Sequence, residues 1–190
     1  YFYSGRTLFA HSAVSKDFMR PFLFMIFLVT HIAGHSQTPS LPTWFSNAFK
    51  SKGLERKYDI SSFLKPPFLQ EDFNGDATQD IAVLVIEKAT TRKGVLIIHG
   101  GRNEHFLFGA GTAFGNGDKD FKWADKWKLY TKKTAFETPF SKESGDILGG
   151  KEIELARPGI IIEDYEDGAA LAGGIIYWNG KKYIWIHQGE

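Results

Sequence analysis

Ile81-Ala82-Val83-Leu84-Val85-Ile86-Glu87 is an unbroken apolar run closed by one acid, and Val95-Leu96-Ile97-Ile98-His99 repeats the pattern a few residues later. Apolar runs without polar alternation are expected of strands buried on both faces. Thr90-Thr91-Arg92-Lys93-Gly94 supplies the turn between them. Gly100-Gly101-Arg102-Asn103 makes the next turn, and Glu104 to Phe108 runs back. The result is a β-meander, and it sets the expectation for the rest of the chain.

On the N-terminal side, Arg56 to Ile60 reads as a short strand, and Lys65-Pro66-Pro67 forces an extended link. Pro42 to Lys52 reads as a helix. Pro42 suits a first turn, Trp44, Phe45, Ala48 and Phe49 recur at helical spacing, and Gly53 can end it. Its expected role is a lid that packs its aromatic side on a sheet. On the C-terminal side, Gly109 to Lys126 is irregular and glycine-rich, Trp127 to Tyr130 is a candidate strand, and Thr134 to Gly150 reads as a long loop. Glu152 to Ala156, Gly159 to Glu163, Leu171 to Trp178 and Lys182 to His187 are further strands. Asn179-Gly180 predicts a two-residue hairpin turn between the last two, with Tyr177, Tyr183 and Trp185 pairing across it. The fold class is therefore mainly β, an antiparallel assembly of meander and hairpins. It is either part of a propeller or two small packed sheets, with one short N-terminal helix. No linker divides residues 37–190, which read as a single domain.

The first residues read differently. Met19-Arg20 precedes an apolar stretch from Phe22 to Ala33, and Gly34 and Ser36 are the small residues a signal peptidase needs before its cut. Residues 19–36 are expected to be a signal peptide cleaved after Ser36, and residues 1–18 an upstream extension. The apolar stretch is short of the roughly 20 residues a membrane span needs. The expected location is outside the cytoplasm, periplasmic or extracellular, with no membrane span after cleavage.

Composition excludes several classes. Among 190 residues there is no cysteine, which rules out disulfides and thiolate metal sites. A formal charge of +1 gives no electrostatic pull on nucleic acid. Phe, at 17 residues, leads an aromatic content that suits β structure.

Chemistry concentrates just before the first long strand. Asp72-Phe73-Asn74-Gly75-Asp76-Ala77-Thr78-Gln79-Asp80 carries side-chain oxygens on Asp72, Asn74, Asp76 and Asp80, and Thr78 can offer its carbonyl. Calcium takes six to eight hard oxygen ligands in flexible geometry. In a tightly curled loop, alternate residues turn inward and converge. Three carboxylates so close repel one another unless a cation joins them. The helix–loop–helix calcium site needs a glutamate where this chain has Val83, so the loop is expected to connect strands. Asn-Gly-Asp is also the composition of a metal-free surface turn.

The run Asp-Phe-Asn-Gly-Asp-x-x-x-Asp, followed by Ile-Ala-Val-Leu-Val, resembles the calcium loop and following strand of FG-GAP (integrin α-chain type) repeats and their bacterial relatives. The resemblance covers Phe68 to about Gly109. It implies a β-hairpin calcium site, with Asp72, Asn74, Asp76, Thr78 and Asp80 as ligands, in a domain serving adhesion or ligand binding. Two features depart from the family. Ala77 replaces the usual glycine and is expected to weaken affinity, and the chain holds one good motif, too few for a closed propeller.

Other constellations are weaker. Trp123, Trp127 and Tyr130, with Phe121, are a candidate ligand platform for sugars, or alternatively core. Asn116 to Asp120 and Asp164 to Gly168 read as acidic turns, and His99 and His105 as a surface or core pair. No nucleophile elbow, phosphate loop, dinucleotide fingerprint or zinc-helix motif occurs. The functional expectation is an exported, calcium-stabilised binding or interaction module without catalysis, acting on a protein or glycan partner. The alternative is a small exported hydrolase of envelope polymers with calcium in a structural role. A third reading is an inhibitor of a foreign envelope-degrading enzyme.

Overall fold

The structure is a computed structural model describing residues 40–102, 104–115, 119–139, 141, 144 and 148–189. The expected extension 1–18 and signal peptide 19–36 lie outside the described residues, as do Asn116 to Asp118 of one acidic turn.

The chain is mainly β and antiparallel, with one α-helix among the described residues, α1 at Thr43–Ser51. Pro42 precedes it, its fixed φ already close to helical values, and Gly53 at φ 65° turns the chain out. Phe45 and Phe49 are one turn apart and stack with ring centroids 6.3 Å apart. Both are buried. Trp44, on the flank of this face, is 37% exposed.

The first sheet contains β1 (Tyr58–Ser61), β2 (Phe68–Glu71), β3 (Asp80–Glu87), β4 (Lys93–Ile98) and β5 (His105–Gly109). β1 and β2 both pair with β3 on one side, and β4 and β5 follow on the other. The apolar run from Ile81 is thus a central strand covered on both faces. Ile81, Val83 and Val85 meet Phe45 and Phe49 of the helix. Ala82 and Leu84 point the other way, into the main core. Gly94 permits close pairing of β4 and β5, since an added Cβ would stand 2.4 Å from the Phe108 carbonyl oxygen.

The second sheet runs β11 (Tyr183–Gly189), β10 (Ala169–Trp178), β9 (Gly159–Glu166), β6 (Lys126–Tyr130). Its inner face contributes Trp127, Ile160, Ile162, Ile176 and Tyr183 to the same core as Leu84, Val95 and Ile97 of the first sheet. Two sheets packed face to face are therefore the architecture, the second of the two arrangements the sequence left open. A third, two-stranded sheet of β7 (Thr134–Glu137) and β8 (Lys151–Glu154) covers the outer face of the second, with Ala135 and Leu155 against Ile161, Ile175 and Ile186.

Three expectations are corrected here. Thr134 to Glu137 is a strand, not the start of a long loop; its partner β8 begins only at Lys151, so local pattern gives no sign of it. The connection between the last two strands spans Asn179 to Lys182, four residues, because Trp178 pairs with Tyr183. The Asn179 side chain accepts the Lys181 and Lys182 N–H groups, each at 3.0 Å, and Gly180 alone takes positive φ, at 95°. This register puts Tyr177 opposite Ile184 and Trp185 opposite Ile176, so Tyr177 lies on the face away from Tyr183 and Trp185.

Candidate functional site

Loop 72–80 joins β2 to β3. Gly75 at φ 79° and Ala77 at φ 66° take left-handed backbone, which winds the loop tightly. The strain at Ala77 is that of an L-residue where glycine fits better. Its N–H is held there by Asp72 Oδ2 at 2.8 Å. Asp72 Oδ1 accepts from Gly75 N–H at 2.7 Å and Asp76 N–H at 3.1 Å. Asn74 Oδ1 accepts from Asp76 N–H at 2.9 Å, and Asn74 Nδ2 donates to Asp76 Oδ2 at 3.1 Å. Asp76 Oδ1 accepts from Thr78 N–H at 2.9 Å.

Asp80 closes the loop from inside. It is fully buried. Its Oδ2 accepts from Phe73 N–H at 3.0 Å and Asn74 N–H at 3.3 Å, and Oδ1 accepts from Gly100 N–H at 2.9 Å. Burial pushes its carboxyl up to about 6, against the pull of those three N–H donors. Beside it, His99 is buried and its Nε2 hydrogen-bonds the Tyr183 hydroxyl at 2.8 Å, tying the two sheets together. Desolvation holds His99 below the usual imidazole range against the opposing effect of Glu104, so it stands neutral 3.9 Å from Asp80 Oδ2. Burial likewise raises the Tyr183 hydroxyl. His105, register partner of Ile98, is exposed, so the two histidines do not form a pair.

Two arginines adjoin the loop. Arg102 Nε meets Asp76 Oδ2 at 2.7 Å. Desolvation works against the Asp76 charge, but hydrogen bonds from Thr78 and Asn74 and the charge of Arg102 outweigh it, and its carboxyl lies below the ordinary value. Arg157 lies across Gly75, its Nε 3.0 Å from where a Cβ would stand, and its Nη1 reaches the Trp178 carbonyl at 3.4 Å.

The five predicted residues thus share one wound loop, with Asp72, Asp76 Oδ1 and Asp80 Oδ2 turned onto the loop's own N–H groups, Asp80 Oδ1 onto Gly100 and Asp76 Oδ2 onto Asn74 Nδ2 and Arg102. Among the described residues, no three His, Cys, Asp or Glu side chains form a group that could hold a metal ion. The donor set is nevertheless of hard oxygens. Asp72 Oδ2, Asn74 Oδ1 and Asp80 Oδ1 each accept a single N–H among the described residues, which leaves each a lone pair. This chemistry fits calcium rather than a softer metal.

The aromatic platform does not form. Trp127 is buried, its Nε1 donating to the Pro66 carbonyl at 2.8 Å, because the β6 alternation turns Trp127 and Leu129 inward while Lys126 and Lys128 face out. The Tyr130 hydroxyl is tied to the Thr134 carbonyl at 2.8 Å. Trp123 instead lines a separate cavity of about 240 Å³ with Phe114, Phe121, Trp185, Asp164 and His187. Sequence reasoning placed Phe121 with Trp123 but missed Phe114, Trp185, Asp164 and His187 as its neighbours. The signal for two of them was the inward alternation of Tyr183, Trp185 and His187 along the last strand. Glu163, at the end of a strand the sequence predicts, is paired with Lys128 Nζ at 2.9 Å.

No protein-family model, no curated protein and no solved structure matches this chain. Among the described residues, no helix is long and apolar enough to cross a membrane.

Proposed function

We propose that this domain is an exported binding module whose loop 72–80 takes a calcium ion that fixes the connection between β2 and β3. One observation carries the reading. Three carboxylates are wound into nine residues by left-handed Gly75 and Ala77, and the ion pairs found among the described residues give them one charged partner, the half-exposed Arg102. The FG-GAP-type spacing of the loop residues supports calcium in particular. Asp72, Asn74, Asp76, Asp80 and the Thr78 carbonyl would hold the ion, and when bound it supplies positive charge, not catalysis. The chain's own part is to present oxygens at the turn and to keep Asp80 anchored by Gly100. The ion competes with Arg102 for Asp76, which gives a weak site suited to calcium-rich surroundings outside the cell. The apolar segment between Met19 and Ser36 supports that location.

A thermal melt tests this. Sites of extracellular modules have Kd of roughly 10⁻⁴–10⁻³ M. At about 10 mM calcium, such a site stabilises by about 1.4–2.7 kcal/mol. For a domain of this size that raises Tm by roughly 3–10 °C over the chelated protein. Asp76→Ala should show no rise. Equal melts for both proteins with and without calcium would sink the reading.

A further inference from the structure

The cavity around Trp123 shares no lining residue with loop 72–80 and is built from three parts of the chain. The inner face of the second sheet supplies its floor. Ala172 and Gly173 of β10 line it, Ala172 in register with Asp164 of β9, while the next residue, Gly174, is in register with His187 of β11 and carries the Trp185 ring against its backbone. Small residues on the middle strand thus leave a trough flanked by a carboxylate and an imidazole. Trp185 forms one wall, and the glycine-rich segment after β5 brings Phe114, Phe121 and Trp123 over the top.

Most ring pairs here stand across one another, while Phe121 and Trp185 lie closer to parallel, at 35°. Trp123 meets Trp185 at 84° and Phe114 meets Trp185 at 82°, with centroids 6.4 Å and 6.0 Å apart. Phe121 meets Trp123 at 61°. Crossed rings enclose a rounded group better than a flat one. A sugar needs an open ring face, and Trp185 has little to offer. An added Cβ at Gly115 would stand 2.8 Å from its ring and one at Gly174 2.2 Å, so both backbones lie against the indole.

Charge points the same way. No Lys or Arg is among the described residues lining the cavity. The Asp164 side chain has no ion pair or hydrogen bond among the described residues. Burial holds His187 below the usual imidazole range, so it adds no positive charge. Aromatic rings attract a cation through their negative faces, and methylated ammonium groups are the cations such enclosures recognise. The volume is below the roughly 300–1,000 Å³ of sites for drug-sized ligands, so a head group fits rather than a large ligand.

We propose that this cavity receives a methylated ammonium head group, with the rings of Trp123, Phe121 and Phe114 around it, Trp185 serving only as a wall, and Asp164 balancing its charge. This rests on the domain being a binding module, but not on calcium.

The test uses the mature domain, residues 37–190 within the full secreted chain, with tryptophan fluorescence and NMR titration as readouts. The ligands are choline and its uncharged carbon analogue 3,3-dimethyl-1-butanol, each in calcium and in EDTA. Choline should bind saturably in both conditions, roughly tenfold more tightly than the analogue. Asp164→Asn should weaken choline several-fold and leave the analogue unchanged, and Trp123→Leu should abolish choline binding. Melting curves verify that both variants fold, and the two-ligand comparison on wild type stands without them. Flotation with phosphatidylcholine vesicles separates the sources: co-flotation supports a lipid head group, and choline binding without it supports a small solute. Equal binding of the two ligands, no saturable choline binding, or binding of methyl glucoside in its place would overturn the proposal. A calcium melt that fails while choline binds would remove only the loop reading.

Discussion

Raising the pH of the calcium-free domain from 4 to 7 strips the proton from Asp80, a fully buried carboxyl whose pKa stands at about 6 against an ordinary 3.8. A group with a raised folded pKa binds its proton more tightly in the folded chain than in the unfolded one. Its contribution is complete below the unfolded value and is lost as pH climbs through about 6. A rise from 3.8 to about 6 corresponds to about 3 kcal/mol. In a domain of this size, that is a fall in Tm of roughly 6–12 °C. His99, His105 and His187 are all held low by burial and pull the other way, gaining stability as pH rises toward the ordinary imidazole value. The comparison therefore needs Asp80→Asn, which keeps the histidines and cannot titrate at this position. Measured by differential scanning fluorimetry across the pH range, the wild-type Tm should fall relative to the variant's. Saturating calcium, by favouring the ionised carboxylate, should remove the fall. A wild-type-minus-variant difference that stays flat, or that grows in favour of wild type as pH rises, would refute the account of a carboxylate strained by burial.

Three further outcomes are expected. Ala77→Gly relieves left-handed strain and should stabilise the fold by about 1 kcal/mol, read as a shift in urea midpoint. Arg102→Ala removes the competing cation from Asp76 and should tighten calcium binding several-fold by isothermal titration, while leaving the apo melt within about 1 kcal/mol because the arginine is half-exposed. Tyr183→Phe leaves His99 Nε2 without its partner and should destabilise by about 1–3 kcal/mol in chemical denaturation.

The meander was legible because its central strand is buried on both faces and so lacks any polar residue to confuse the pattern. The helix was legible because Phe45 and Phe49 are one turn apart between a proline and a glycine. The loop was legible as a set of residues, but its closure was not. Gly100 and Arg102 reach it from the turn between β4 and β5, Tyr183 of β11 stands behind it through His99, and nothing in its own nine residues announces them. β7 was hidden because four residues carry too little alternation, and their partner β8 begins only at Lys151. The face taken by Trp127 was readable from its lysine neighbours, which alternate with it. The cavity was not, since it depends on which small residues of β10 fall opposite which large ones of β11, and that is a matter of register.

The β7–β8 pair is a two-stranded ribbon resting on the outside of the second sheet. Ribbons of this size are marginal alone. It is expected to be the first part to peel away on heating, with amides that exchange before those of β3 or β10. What it uncovers is a greasy stripe of Ile161, Ile175 and Ile186 on neighbouring strands. Clumping on storage would then begin from this exposed flank while the rest of the molecule was still intact.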